Sequence, residues 1–250
     1  MGRKNFKAGA LTAPLPPVMV SVGDMESSNI ITIGWTGILS TIPPRTYISV
    51  RSQRHSYGII KRTGEFVINL TTADQARIVD YAGIYTGAKV DKFKECGLTK
   101  VESKEVSAPT IKECPLALEC RVIETIPMGT HDVFIADIIS VSCDDSILDE
   151  DGKIRFDKAG LLAYAHGEYY ALGEKVGKFG FSTKKQTEKK PTQNKPAHSK
   201  PIQNKQKTEN KPKAIPTAKA DEPAENKKRP FYLDAPRGKS NKFKGKGKKK

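Results

Sequence analysis

Seven consecutive residues carry most of the chemistry legible in this chain: Val50-Arg51-Ser52-Gln53-Arg54-His55-Ser56. They join a strand-like run, 46–50, to a helical one, 57–62, whose start Ser56 is placed to cap. Two guanidiniums, an imidazole and two hydroxyls thus meet the free N–H groups of a helix N-terminus, which favours an anionic phosphate. As isolated residues Arg51 and Arg54 read as solvated surface charge; at a capped helix start they read as an anion site. Just upstream, Trp35-Thr36-Gly37 ends another strand-like run. A small residue and a glycine there let a planar ligand approach the backbone. Trp35 also fits as the core aromatic of a barrel.

Other chemistries find no support. The chain lacks G-x-S-x-G, H-E-x-x-H and G-x-x-x-x-G-K-[ST], and no G-x-G-x-x-G follows a strand. His55, His131 and His166 stand alone in sequence, and a lone histidine is more often structural or exposed than catalytic. Cys96, Cys114, Cys120 and Cys143 form no C-x-x-C pair and have no histidine at ligand spacing, so neither zinc nor a disulfide framework is expected. Cys120 and Cys143 lie in apolar alternating runs and read as buried thiols. This cysteine usage suits a reducing cytoplasm.

The elements that must position these residues are mainly β. Strand composition appears at 18–22, 29–35, 46–50 and 65–70, followed by two longer runs, 116–126 and 132–143. In the first long run Leu116, Leu118, Cys120 and Val122 alternate with Ala117, Glu119, Arg121 and Ile123. In the second, Val133, Ile135, Ile139 and Val141 share one face, interrupted by Asp137. Pro127-Met128-Gly129-Thr130 links the two as a hairpin. Helices are few: one from Ser56 to about Gly64, one opened by the capping box Thr72-Ala73-Asp74-Gln75, and one starting near Asp91 and stopping at Gly97. Six strands without βαβ alternation argue for a closed or nearly closed antiparallel barrel in a single domain, residues 1–183.

Residues 184–250 differ in kind. They hold 22 Lys+Arg against 6 Asp+Glu, whereas residues 1–183 hold 21 against 22. The tail therefore carries all the excess in the net charge of +15. Lys, Pro, Asn, Gln and Thr dominate it, and such a segment cannot bury enough apolar area to offset the roughly 1–2 kcal/mol per residue that backbone ordering costs. It is expected to be disordered, with 229–236 (RPFYLDAP) as its one docking candidate. No apolar run approaches the roughly 20 residues of a membrane span, and Pro14, Pro16 and Pro17 interrupt any signal-peptide core. A cytoplasmic protein without membrane contact is expected.

Several motifs recur together: Asn29-x-x-Thr32-x-x-Trp35, the Pro43-Pro44 turn, Val50-Arg51-Ser52-x-Arg54-x-Ser56, T-G-E-F-V-I-N-L over 63–70, Asp91-Lys92-Phe93, and H-G-E-Y-Y-A-L-G-E-K-V-G-K-F-G-F over 166–181. In this order and spacing the chain resembles the flavin reductase-like family of FMN-binding split barrels, in its flavoredoxin-like branch, over residues 8–183. The resemblance implies a six-stranded Greek-key split barrel, a homodimer, and FMN held non-covalently near the subunit interface. Asn29, Thr32, Trp35, Thr36 and Gly37 would line the isoalloxazine. Arg51, Ser52, Arg54, His55 and Ser56 would hold the phosphate and ribityl chain, and Lys92 would add a cation. Tyr164, with His166 and Tyr170, would close the ring side.

The flavin would supply the redox chemistry and the protein its placement, which fits the missing catalytic motifs. Either a flavin reductase fed by NADH or NADPH, or a flavoredoxin-type electron carrier fed by a redox protein, is consistent with these residues. A nucleic-acid-binding small β-barrel with a lysine-rich arm is the competing class. The near-neutral charge of residues 1–183 leaves that barrel no basic groove, and its strands show no repeated exposed aromatics for base stacking. The tail could still attract a polyanion non-specifically by counterion release.

Overall fold

Residue alternation with period two produces the strands, and a computed structural model describes them within residues 2–183. The tail and its 229–236 cluster lie outside the described residues. The strands are β1 (Val18–Gly23), β2 (Ser28–Ile33), β3 (Thr36–Thr41), β4 (Pro44–Val50), β5 (Glu65–Asn69), β6 (Lys100–Val101), β7 (Thr110–Ile111), β8 (Leu116–Pro127), β9 (Asp132–Cys143), β10 (Leu162–Ala165) and β11 (Glu168–Ala171). Three α-helices accompany them: α1 (His55–Thr63), α2 (Ala76–Ile84) and α3 (Lys92–Glu95). Seven strands form one antiparallel sheet in the order β2-β1-β5-β8-β9-β4-β3; β10-β11 and β6-β7 are separate hairpins.

The sheet curls around one apolar core without closing. Val18, Val20 and Val22 of β1, Ile48 and Val50 of β4, Phe66 and Ile68 of β5, Cys120 of β8, and Phe134 and Ala136 of β9 meet inside it, plugged by Ile59 and Ile60 of α1. Each Val, Ile or Phe among them contributes roughly 1.5–3 kcal/mol when fully buried. A second cluster on the outside joins Met19 and Ile30 to Val79, Ala82 and Phe93 of α2 and α3. Strand β1 is buried on both faces for that reason, and its run VMVSV is continuously non-charged rather than alternating.

The mainly-β class and the split-barrel form expected from sequence are present, with corrections. The main sheet has seven strands, not six, because 36–41, read as a ligand-facing turn, forms β3 and pairs with β4. In β9 the core face is Phe134 and Ala136 with Ile138, not the face of Val133 and Ile135. The β8–β9 pairing leaves Ile139 as an extra residue on β9 and Ile123 as one on β8, so the face of Val133 and Ile135 does not continue through Val141. The first half of β8 is buried on both sides rather than one. Glu119 accepts the backbone N–H of Lys104 (3.1 Å) and Glu105 (2.6 Å), so the 102–109 segment covers it and Ala117. Cys143 is half-buried, not buried, and all four cysteines are free thiols.

On the outer side of β4 and β9, half-buried Tyr47, Val133 and Ile135 alternate with the core-facing residues, beside the Arg45–Asp137 ion pair at 2.8 Å. No helix among the described residues is long and apolar enough to cross a membrane.

Candidate functional site

The turn 51–54 brings the chain from β4 into α1, and its residues gather as the sequence indicated. Arg54, not Ser56, is the N-cap of α1, and no side chain caps it. Ser56 sits two residues past the cap; it is buried, and its Oγ accepts from Asn29 Nδ2 at 2.8 Å. The first turn of α1 holds no acidic residue. The positive end of a nine-residue helix is therefore left without an internal anion. Ser52, Arg54 and His55 are exposed around it, and Arg51 is half-buried.

Lys92 approaches the same place from α3, which Asp91 opens by accepting the N–H of Lys94 at 3.2 Å. Only 3% exposed, its ammonium donates to the carbonyls of Ile30 and Ala82, both at 2.7 Å. Burial, then the charge of Arg54, lowers it from 10.5 to about 8. Neither Lys92 nor Arg54 has a carboxylate in ion-pair range among the described residues. Two cations thus repel across a space with no counter-charge, which an anion would relieve.

The opposite wall is aromatic. Trp35, 37% exposed, packs against His131 with ring centroids 4.6 Å apart and planes at 41°. Its carbonyl accepts the N–H of Ser49 at 3.0 Å, which ties it to the strand leading into the cationic turn. Burial, then the charges of Arg51 and Arg54, lowers His131 below its ordinary 6.5. His131 therefore borders both walls. Sequence reading passed over it as an isolated histidine; a polar residue closing the β8–β9 hairpin beside Asp132 was the available signal. That Asp132 accepts the Tyr57 hydroxyl at 2.6 Å, locking the hairpin end to α1.

The remaining candidates are buttresses or lie further along the rim. Thr36 Oγ1 donates to the Tyr47 carbonyl at 2.6 Å, and Gly37 lies against the Tyr47 ring. Thr32 Oγ1 donates to the carbonyl of Val79 at 2.5 Å and packs beside Gly83 of α2. Asn29 touches Gly87 so closely that a Cβ there would fall 2.1 Å from its Oδ1. Tyr164 pairs through its backbone with Leu15, whose side chain lies by Gly34 next to Trp35. His166 is exposed in the β10–β11 turn at φ 48°, and Tyr170, also exposed, donates to Glu168.

These residues fit a flat, phosphorylated ligand: an uncapped helix end and two uncompensated cations at one end, an aromatic wall at the other. The flavin reductase like domain family matches residues 11–173. An uncharacterized protein of Archaeoglobus fulgidus is 37% identical over 132 residues, covering 53% of this chain and 73% of that protein. The structure of flavoredoxin from Desulfovibrio vulgaris (Miyazaki F) superposes with a TM-score of 0.69 at 35% identity, covering 73% of this chain and all of that one. Flavoredoxin from Methanosarcina acetivorans gives 0.68 at 26% identity, covering 73% of this chain and 98% of that one. With the family matched across nearly the whole described region, the chain belongs to the flavin reductase like domain family.

Proposed function

We propose that this chain binds FMN non-covalently and acts as a redox protein, either a flavin reductase or a flavoredoxin-type electron carrier. One observation carries the choice of a phosphorylated flavin: the N-terminus of α1 is uncapped and free of acid, while Arg54 and buried Lys92 face each other without a carboxylate. The N–H groups opening α1 and the exposed Arg54 guanidinium would hold the phosphate. Lys92 has spent two of its three N–H bonds on carbonyls, so it supplies field more than contact. Trp35 and His131 would contribute the aromatic contact to the flavin ring, and Gly37 would leave the backbone of β3 open to it. Bound FMN supplies electron and hydride chemistry, and no protein nucleophile is required. The 35% identity to a flavoredoxin supports the carrier alternative.

Purified protein is expected to be yellow and to release FMN on denaturation. Colourless protein that ignores added FMN overturns the reading. Stopped-flow bleaching of bound flavin separates the roles: rapid reduction by NADH or NADPH marks a reductase, and inertness to both marks a carrier.

The outer face of β4 and β9 supports a homodimer as the working form, since a half-exposed apolar sheet face is the composition of an interface core. The charge of residues 184–250 supports non-specific polyanion contact through the tail.

A further inference from the structure

Beside the candidate flavin site lies a polar cavity of about 340 Å³, with Lys89, Lys100, Ser28, Gly87, Glu26 and Asp91 in its walls. Ser28 and Asp91 directly precede Asn29 and Lys92, so two of these walls continue into the phosphate end of the flavin site. Gly87 forms the join. A Cβ there would fall 2.1 Å from Asn29 Oδ1, and Asn29 donates to Ser56 in the first turn of α1 at 2.8 Å, so this wall is bare backbone. The loop carrying Lys89 is tied down, because the N–H groups of Lys89 and Val90 both donate to the Thr86 carbonyl, at 3.0 and 3.3 Å. Half-buried Lys100 donates to the Met25 carbonyl at 3.0 Å and stands 5.3 Å from the Phe93 ring centroid. Neither lysine has a carboxylate in ion-pair range among the described residues. Of the two acids, Asp91 is engaged with the N–H of Lys94 at 3.2 Å, and Glu26 is exposed. Ser28 Oγ is buried and has no hydrogen-bond partner among the described residues, an unfavourable state that a χ1 turn toward a ligand relieves.

We infer that this cavity is a second phosphate subsite, built for the 5′-phosphate and ribose of a ribonucleotide beside the flavin phosphate. Lys89 and Lys100 meet the phosphate as point charges, and the Ser28 hydroxyl adds a hydrogen bond. Exposed Glu26 accepts from the ribose hydroxyls, as an acid does in dinucleotide sites. The volume lies near the lower end of the roughly 300–1,000 Å³ of small-ligand pockets, which suits one nucleotide. The phosphate arrives in one of two ways: tethered, as the adenylate of FAD whose flavin half fills the site proposed above, or free, as AMP. Bare backbone at Gly87 leaves room for a pyrophosphate to pass between the two subsites. The tethered source rests on the flavin reading; the free source does not.

The test titrates the full-length chain at about 0.15 M salt, which screens exposed charges beyond about 8 Å. AMP and adenosine are read by calorimetry, FMN and FAD by flavin fluorescence. Two affinity ratios matter, AMP over adenosine and FAD over FMN, because each isolates the added phosphate. In wild type at least one is expected to be about 10 or more, as for a charged hydrogen bond. The double variant Lys89→Ala with Lys100→Met, which keeps an apolar stem over Phe93, is expected to bring that ratio close to one. FMN affinity is expected to stay within about two-fold, since neither lysine belongs to the flavin phosphate site. A fall in the FAD ratio assigns the phosphate to FAD; a fall in the AMP ratio alone assigns it to free nucleotide. The proposal is overturned if neither ratio exceeds one in wild type, or if neither falls in a variant whose circular dichroism shows it folded. If the double variant fails to fold, Lys89→Glu alone, at an exposed position, repeats the test with the same outcomes. No binding of either flavin, with an AMP ratio that falls in the variant, keeps the subsite and removes only the flavin reading.

Discussion

Asn29 Nδ2 donates to Ser56 Oγ at 2.8 Å, so β2 grips the first turn of α1 from inside the barrel wall. The bond explains why a serine that does not cap the helix is buried at its start, and it sets where the helix N–H groups point. Gly87 presses on the other side of Asn29. Replacing Asn29 by Ala should cost about 1–2 kcal/mol in urea unfolding through the unpaired hydroxyl and weaken FMN by misplacing the turn. Gly87→Ala should reproduce both effects, because its methyl displaces the Asn29 amide. A Gly87→Ala protein with wild-type stability and FMN affinity would show that Asn29 does not position the helix.

Lys92 makes a pH prediction whose sign is determined. Its folded value of about 8 lies below the 10.5 of the unfolded chain. Between these pH values the unfolded chain holds the proton that the folded chain has lost, so this group makes stability rise with pH across the window. The stability of wild type minus that of Lys92→Met should therefore increase from pH 7 to pH 10 in chemical denaturation. Phosphate recognition should move the other way: the ratio of FMN to riboflavin affinity should fall above about pH 8 as the ammonium is lost. Arg54→Ala should lower the same ratio at pH 7, since riboflavin lacks the phosphate; equal loss for both ligands would contradict its role.

Trp35 is the chain's single tryptophan, so its emission reports its neighbour His131. Imidazolium quenches indole, and His131 titrates below 6.5 because burial and the arginines oppose its charge. Fluorescence of the flavin-free protein should drop on acidification with a midpoint under 6.5, and His131→Gln should abolish the step. Trp35→Ala should weaken FMN and riboflavin alike. Unchanged affinity in a folded Trp35→Ala protein would return Trp35 to a core role.

Thiol reactivity should divide the cysteines in two. Burial pushes both Cys114 and Cys120 up to about 12, while Cys96 and Cys143 are half-buried. An aromatic disulfide reagent at pH 8 should label Cys143 and Cys96 first, and Cys114 and Cys120 only on unfolding. Rapid native labelling of Cys120 would mean that the barrel opens far more readily than its core implies.

The tail prediction depends on charge alone. Full-length protein should bind single-stranded RNA or DNA with steep salt dependence and little sequence preference. Removing residues 184–250 should abolish that binding and leave FMN affinity unchanged. Equal nucleic-acid binding with and without the tail would end the idea.

Local chemistry in this chain determined what local chemistry can. Strand-forming runs, the β8–β9 hairpin, the capping box of Thr72 and Gln75, and the crowd of cations before α1 depend on neighbours a few residues apart, and all are present where the residues put them. What the tertiary structure decided lies across distances in sequence. The extra residue Ile139 in β9 breaks the alternation, so Val133 and Ile135 do not share a face with Val141, and only the pairing with β8 reveals it. Glu119 is buried because a loop arriving from 102–109 offers it two N–H groups, a contact no alternation pattern contains. Lys92 looks in sequence like any helix-opening lysine; it becomes a buried cation only when the carbonyls of Ile30 and Ala82, 62 and 10 residues away, close on it. Trp35 and His131 meet for the same reason: the order of the sheet, which follows from burying the whole core at once, puts two separate strand ends at one rim.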